Sequence, residues 1–175
     1  GRLMAGPVST WLIWRLTRGE VFAADPTTAQ RTMLLNARTL DWDAEMLALF
    51  KIPREILPEI RPSAGDWGVF KRGGRRLRLL ASLGDQQSAV LGLGARAAGS
   101  SVANYGTGAF FLHNTGASQR RIPGLLTSVA WKIGGQPAAY LQEGTVHAAG
   151  TSFDWLRDNL GLLKNSAEID ALCRA

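Results

Sequence analysis

Two short stretches contain the residues whose types could carry out chemistry. The first, Leu83 to Gln87, leads through Gly84 into the carboxylate of Asp85 and two amides, and the second is Gly106-Thr107-Gly108. A carboxylate can accept the proton of a substrate hydroxyl, and a glycine-flanked threonine turn can surround phosphate oxygens with N–H and hydroxyl groups. Each stretch also has a structural explanation, because Asp85 could cap a helix and Gly-Thr-Gly could be an ordinary hairpin turn. Taken singly, neither predicts a function.

The elements of the first part of the chain must position Asp85. Apolar residues at helical spacing, helix caps, prolines and glycines divide this part into segments. The predicted helices cover residues 9–18, 41–50 and 86–93, an extended or turning stretch covers 53–62, and a buried strand covers 77–83.

Beyond Gly94 the pattern changes to paired strands around glycine turns. The predicted strands cover residues 101–105, 109–113, 125–133 and 138–142. A last helix is predicted within residues 151–163, with Gly161 ending it. The fold class is therefore mixed α/β, with a boundary near Gly94.

Composition limits the class of protein. The chain has 175 residues, of which 46% are hydrophobic and 19% charged, as in folded globular proteins. No apolar run reaches the length that spans a bilayer, residues 1–10 do not resemble a secretory signal, and the single Cys173 excludes a disulfide framework. We therefore expect a cytoplasmic protein that does not enter a membrane.

A basic cluster lies at residues 71–78, where five of the 20 lysines and arginines surround Gly73-Gly74. The cluster could bind phosphate or nucleic acid, or it could be a solvated hairpin whose charges protect a strand edge. Because no aromatic residues alternate with the charges, the second interpretation is favoured, and we expect no nucleic-acid partner.

Several stretches, in order and with similar spacing, resemble the glycerol kinases of the FGGY carbohydrate-kinase family. They are Ser9-Thr-Trp-Leu-Ile-Trp14, Arg31-Thr-Met-Leu-Leu-Asn36, Thr39-Leu-Asp-Trp-Asp43, Ile52 to Ser63, Gly84-Asp-Gln-Gln-Ser-Ala89, Tyr105-Gly-Thr-Gly-Ala-Phe110 and Trp155-Leu-Arg-Asp158. The resemblance implies an actin-like, ribonuclease H-like fold with parts of two domains on either side of a cleft. Residues 1–94 would end the first, substrate-side domain, and residues 95–175 would begin the second, ATP-side domain.

The resemblance also implies roles for individual residues. Asp85 would be the catalytic base and would bind the substrate together with Gln86 and Phe110. The nucleotide would contact Gly106, Thr107, Gly108 and Gly150. The implied activity is phosphorylation of glycerol by ATP with Mg²⁺ in a dimeric enzyme, and no protein-built metal site is expected.

Three departures from the family pattern and several missing segments qualify this expectation. Asp154 stands where the family usually has glutamine, Val102-Ala103 where it often has a lysine, and His147 where hydrophobic residues are usual. The family's phosphate loop near its N-terminus, its glycerol-gripping residues and its later Asp-Gly-Gly segment do not occur in this sequence, so we expect residues 1–175 alone to be inactive. Another polyol or sugar kinase of the family, such as one for xylulose, and a non-catalytic remnant remain open alternatives.

Overall fold

The computed structural model describes residues 3–174, and no helix in that range is long and apolar enough to cross a membrane. Gly1, Arg2 and Ala175, at the ends of the two predicted domains, lie outside the described residues. The helices are α1 (Val8–Leu16), α2 (Pro26–Ala29), α3 (Ala44–Leu49), α4 (Asp85–Gly92), α5 (Gly150–Asp158) and α6 (Ile169–Leu172). Short 3-10 turns cover Gln30–Thr32, Arg54–Ile56 and Ser166–Glu168.

The strands are short in the first half (residues 3–94) and longer in the second half (residues 95–174). They are β1 (Ala23–Ala24), β2 (Leu35–Asn36), β3 (Asp41–Trp42), β4 (Glu59–Ile60), β5 (Val69–Arg72), β6 (Arg75–Arg78), β7 (Ser101–Tyr105), β8 (Ala109–Gly116), β9 (Leu126–Trp131) and β10 (Ala139–Val146). The predicted mixture of helices and strands, and the predicted basic hairpin β5–β6, are confirmed.

The main sheet has four antiparallel strands in the order β7-β8-β10-β9. The β7–β8 hairpin pairs Tyr105 with Ala109 across the predicted Gly-Thr-Gly turn. β10 lies between β8 and β9 and pairs Thr145 with Phe110. All four predicted strands of the second half are therefore confirmed, although β8 and β10 are longer than predicted.

Side-chain caps begin two helices of the first half. The Asp43 carboxylate accepts hydrogen bonds from the amides of Glu45 (3.0 Å) and Met46 (3.1 Å) at the start of α3. The bond from the Met46 amide, followed by one from the Asn36 side chain, lowers the pKa of Asp43 below its usual 3.8. Asp25 caps α2 in the same way, with Pro26 at the first helical position.

Three predictions differ from the structure. Residues 77–83 do not form a buried strand, because β6 ends at Arg78 and the rest runs beside residues 63–68, with Leu77 and Leu80 each 57% exposed. The last helix ends at Asp158 rather than near Gly161. None of its residues is buried, so no packing against the rest of the chain stabilises a further helical turn. Asp41 and Trp42 pair with β2 as a strand, so the second predicted helix starts at Ala44.

One hydrophobic core joins the two halves. Val90 of α4 packs with residues from all four strands of the main sheet: Val102, Leu112, Ala130, Trp131 and Leu141. A second core, around Trp42, Leu47 and Leu57, lies wholly within the first half. Helix α4, which begins with Asp85, is thus fixed against the sheet whose first hairpin holds Thr107.

Candidate active site

Asp85 is the first residue of α4 and does not cap it. Gly84 occupies the N-cap position, which leaves the Asp85 carboxylate exposed. Within residues 3–174, its one hydrogen-bond donor is the Gln86 amide, at 2.8 Å from Oδ1. A carboxylate in the first turn of a helix is favoured by the helix dipole and, in this position, can accept a hydrogen bond from a bound hydroxyl.

The two glutamines after Asp85 have different environments. Gln87 is 1% exposed, and its side-chain amide points at the carbonyl of Val129 in β9, at 3.5 Å. Gln86 is partly exposed, and its Oε1 atom is buried without a hydrogen-bond partner among the described residues. Buried polar atoms are almost always paired in folded proteins, so Gln86 has an unused acceptor next to the predicted base.

The residues predicted to contact nucleotide lie together, because two backbone segments touch. The Gly150 amide donates to the Gly106 carbonyl at 2.9 Å, and the Ala149 amide donates to the Thr107 carbonyl at 2.9 Å. A Cβ atom on Gly150 would lie 2.5 Å from the Gly106 oxygen, and one on Gly108 would lie 2.8 Å from the Val146 oxygen. Only glycine permits this approach, which joins the Gly106–Gly108 turn to the start of α5.

Phe110 lies where the first half stops covering the sheet. Residues two apart in a strand share a face, so Phe110 projects from the same face as Leu112, which packs with Val90 of α4. Leu112 is 2% exposed and Phe110 is 36% exposed. The covered part of this face therefore ends between them, and Phe110 borders the uncovered part beside the Gly106–Gly108 turn.

The structure thus forms two groups of predicted site residues. Asp85 and Gln86 lie at the start of α4, whereas Gly106, Thr107, Gly108 and Gly150 form the junction of β7, β8 and α5. Over the described part of the chain, the hydrogen bonds of Asp85 and of Thr107 stay within their own groups. That the two groups face each other across a cleft stays a prediction.

The acidic residue that departs from the family pattern is paired. Arg157 contacts the Asp154 carboxylate at 3.2 Å one helical turn away, and it contacts Asp158 at 2.7 Å. The hydrogen bond from Arg157 lowers the pKa of Asp158, and the same bond raises the pKa of Arg157. Because one guanidinium is shared by two carboxylates, it offsets only part of the repulsion that Asp154 would exert on a phosphate near α5.

The described residues include no group of three or more His, Cys, Asp or Glu side chains that could hold a metal ion by themselves. Mg²⁺ at phosphoryl-transfer sites usually takes one or two carboxylates and completes its coordination with phosphates and water. The exposed Asp85 carboxylate fits that limited contribution.

Two sets of polar residues near the site are not among the predicted site residues. One is a buried network of Asp25, Thr27 and Ser63 that reaches the Gly84 amide. The other is an ion pair between Arg31 and Glu143, at 2.9 Å, that joins the two halves. The Asp25-Pro26 dipeptide has the pattern of a helix start, but no local pattern indicates that Arg31 would meet a residue 112 positions away.

Comparison with known proteins assigns the family. The model of the FGGY family of carbohydrate kinases, N-terminal domain, matches residues 4–92. The chain is 48% identical over 179 aligned residues to a glycerol kinase of Thermus brockianus, which covers 99% of this chain. The chain belongs to the FGGY family of carbohydrate kinases. It spans 35% of the length of that relative.

Solved structures agree with the FGGY assignment. A crystal structure of Plasmodium falciparum glycerol kinase with ADP superimposes with a TM-score of 0.87 at 34% identity, covering 93% of this chain and 33% of that one. A ligand-bound xylulose kinase from Lactobacillus acidophilus matches with a TM-score of 0.69 at 26% identity, covering 87% of this chain and 31% of that one. The predicted fold class, α/β of the actin-like, ribonuclease H-like type, is confirmed by these FGGY kinases.

Proposed function

We propose that this chain is the central segment of a glycerol kinase, which transfers the γ-phosphoryl group of ATP to glycerol and forms glycerol 3-phosphate. Several relatives that match 97% or more of the chain at 42–48% identity are named glycerol kinases. In this proposal residues 1–94 end the substrate-side domain and residues 95–175 begin the ATP-side domain. The match of the N-terminal-domain model to residues 4–92 supports that division.

The proposal rests on the exposure and the hydrogen bonding of the Asp85 carboxylate. Its carboxylate is exposed at the first position of α4 and accepts one backbone hydrogen bond from Gln86. Asp85 would accept the proton of the terminal glycerol hydroxyl as that oxygen attacks phosphorus. Gln86 would orient the substrate through a hydrogen bond between its side-chain amide and a second hydroxyl, and Phe110 would contact the carbon chain.

The nucleotide would bind at the junction of β7, β8 and α5. The Gly106–Gly108 turn and Gly150 would place backbone groups against the ATP phosphates, with the exposed Thr107 hydroxyl as a further donor. Mg²⁺, bound with ATP, would neutralise charge on the transferred group. The complete enzyme would be a cytoplasmic dimer acting on glycerol and ATP, with no nucleic-acid or membrane partner.

The second candidate is another FGGY kinase, since a xylulose kinase shares the fold at 26% identity. Phosphoryl transfer would use Asp85 in both cases, and the acceptor would differ. Initial rates of the full-length protein on glycerol, xylulose and gluconate separate the two candidates, because the residues expected to grip the acceptor lie outside residues 1–175. Glycerol should have the highest kcat/KM.

The decisive experiment places this chain in a complete enzyme. A chimera carries residues 1–175 in place of the aligned third of the Thermus brockianus glycerol kinase, and glycerol-dependent ADP release is measured. We expect the chimera to be active and Asp85→Asn to lower kcat by about a hundredfold or more, because the general base is lost. Glu45→Gln, the same change in the first turn of α3, is the control and should keep full activity.

Two results would count against the proposal. If the Asp85→Asn chimera turns over like the unaltered chimera, Asp85 is not the base. If the unaltered chimera folds, as judged by cooperative unfolding, and shows no activity on any of the three acceptors, the non-catalytic alternative is favoured.

A further inference from the structure

A buried polar network lies directly behind the residue that precedes Asp85. Asp25 and Thr27 are both 0% exposed. The Thr27 hydroxyl donates to Asp25 Oδ2 at 2.7 Å and accepts a hydrogen bond from the Gly84 amide at 2.8 Å. Two hydrogen bonds therefore connect a buried carboxylate to the backbone immediately before Asp85.

The Asp25 carboxylate determines which groups in this network donate hydrogen bonds and which accept them. Its Oδ2 atom accepts from the Thr27 amide (3.0 Å), the Thr27 hydroxyl and the Ser63 hydroxyl (3.1 Å), and its Oδ1 atom accepts from the amide and hydroxyl of Thr28 (3.1 and 2.7 Å). A hydroxyl has one proton to donate. Since Thr27 donates its proton to Asp25, its oxygen is left to accept from Gly84.

The network also reaches the main sheet. The Ser63 hydroxyl accepts from the Lys132 amide at 3.1 Å, the Ser63 amide donates to the Lys132 carbonyl at 2.7 Å, and the Ser82 amide donates to the Ser63 carbonyl at 2.9 Å. Asp25 is thus bonded, through Thr27 and Ser63, to the start of α4 and to the residue after β9.

Two side chains lie close to the Cα atom of Gly84. A Cβ atom at this position would lie 2.6 Å from Gln87 Oε1 and 3.6 Å from Thr27 Oγ1. The backbone at Gly84 therefore lies close against both side chains. The Gly84 amide is hydrogen-bonded to Thr27, and the next residue, Asp85, begins α4. The backbone before Asp85 is therefore held by the network, and the backbone after it is held by the helix.

We propose that Asp25 and Thr27 are positioning residues for phosphoryl transfer, which act through the Gly84 amide to hold Asp85 in the geometry for proton abstraction. This inference rests on the proposed function. Neither residue would touch substrate. Misplacing a catalytic group by about 1 Å can cost about a hundredfold in rate, so a network that fixes one backbone amide can act on kcat.

The chain supplies a matched control for Thr27. Thr27→Val removes the hydroxyl that donates to Asp25 and accepts from Gly84. Thr28→Val removes a hydroxyl that donates to Asp25 at the same 2.7 Å distance and makes no contact with Gly84. Both variants lose a hydroxyl that donates to the Asp25 carboxylate, and Thr28→Val also loses a contact to the Asp25 carbonyl at 3.2 Å. Only Thr27→Val releases the Gly84 amide. Thr27→Ser keeps the hydroxyl and serves as the rescue.

The first measurement is steady-state kinetics in the chimera described above. We expect Thr27→Val to lower kcat by about tenfold or more with a smaller change in KM for glycerol, while Thr28→Val and Thr27→Ser stay close to the unaltered chimera. Equal kcat values for Thr27→Val and Thr28→Val would overturn the inference, because a merely structural role affects both alike.

The second measurement does not depend on activity. Hydrogen exchange at the Gly84 amide is followed by NMR in the 175-residue chain and its three variants. The amide should exchange faster in Thr27→Val and at an unchanged rate in Thr28→Val and Thr27→Ser. Unchanged exchange in Thr27→Val contradicts the inference even if the chimera is inactive, whereas an inactive chimera with the expected exchange pattern contradicts only the proposed function.

Discussion

At the scale of single residues, two glycines determine the geometry of the candidate nucleotide site. Gly108 and Gly150 allow two backbone segments to lie against each other. The hydrogen bonds from the amides of Ala149 and Gly150 to the carbonyls of Thr107 and Gly106 depend on this close approach. The contact is made with carbonyl oxygens, which cannot rotate away as a flexible side chain could.

The Gly150→Ala substitution tests this geometry. The added Cβ would lie 2.5 Å from the Gly106 oxygen, so the two segments must separate and the Gly150–Gly106 hydrogen bond is lost. We expect ATP to bind the chimera about tenfold more weakly, as about 1.4 kcal/mol is lost, measured by calorimetry. Gly135→Ala, in the β9–β10 turn with no atom within 4 Å, should bind ATP like the unaltered chimera; equal losses in both variants would argue against the assignment.

Much of this residue-level arrangement could be predicted from sequence. The Gly-Thr-Gly turn between two apolar strands indicated the hairpin, and the helix starting near Gly84-Asp85 was indicated by its flanking pattern. The contact of Gly150 with Gly106 could not be derived from local patterns, because it depends on how α5 returns to the hairpin. The resemblance to a family placed both residues at the nucleotide, and the structure brings them together.

At the scale of elements, the two halves are joined by polar groups as well as by the shared core. The Arg31 guanidinium meets both oxygens of Glu143, at 3.2 and 2.9 Å. Glu143 also accepts a hydrogen bond from Ser128. The Glu143 side chain is 9% exposed and that of Arg31 47%, so Glu143 depends on its partners more than Arg31 does.

Removing Arg31 should therefore destabilise the chain. Arg31→Met leaves a nearly buried carboxylate with Ser128 as its remaining donor, and we expect the free energy of unfolding to fall by about 1–3 kcal/mol. Urea denaturation of the 175-residue chain measures the change. Arg38→Met, at an exposed arginine of the same region, should change it by less than about 0.5 kcal/mol, and a loss as large as that of Arg31→Met would show that the pair itself is unimportant.

Two of the three errors in the predicted elements share a physical cause. Residues 77–83 are apolar enough for a buried strand, yet Leu77 and Leu80 are each 57% exposed. The predicted end of the last helix relied on an apolar stripe that includes Phe153 and Trp155, which are 45% and 53% exposed. Sequence patterns report which residues are suited to burial, and they do not report whether this chain contains the surface that would cover them.

At the scale of the whole molecule, the accessible surface is larger than that of a compact protein of this mass. The chain of 18.9 kDa has 11346 Å² of accessible surface, whereas a compact monomer of this mass has about 8,300 Å². A cavity of about 530 Å³ between residues 3–7, α1 and Phe22 is lined mainly by apolar side chains. A second of about 400 Å³ lies over the sheet beside Phe111 and Leu125.

This openness predicts that residues 1–175 alone have no kinase activity. Phosphoryl transfer requires a site that excludes water and closes over its substrates, and the described residues leave the face beside Phe110 uncovered. A coupled assay on the purified chain should show no glycerol-dependent ATP consumption, whereas the chimera should be active under the same conditions. Clear turnover by the chain, abolished by Asp85→Asn, would contradict the prediction.

The outer edge of β9 has a consequence for how the main sheet can grow. There the side-chain amide of Gln30 makes the hydrogen bonds that a neighbouring strand would make. It accepts a hydrogen bond from the Val129 amide at 2.6 Å and donates one to the Val129 carbonyl at 3.0 Å. Ser63 closes the same border at Lys132. Because backbone groups that are already bonded cannot recruit another strand, this edge is closed at Val129 and Lys132, and we expect an additional strand at the opposite edge of the sheet, beside β7.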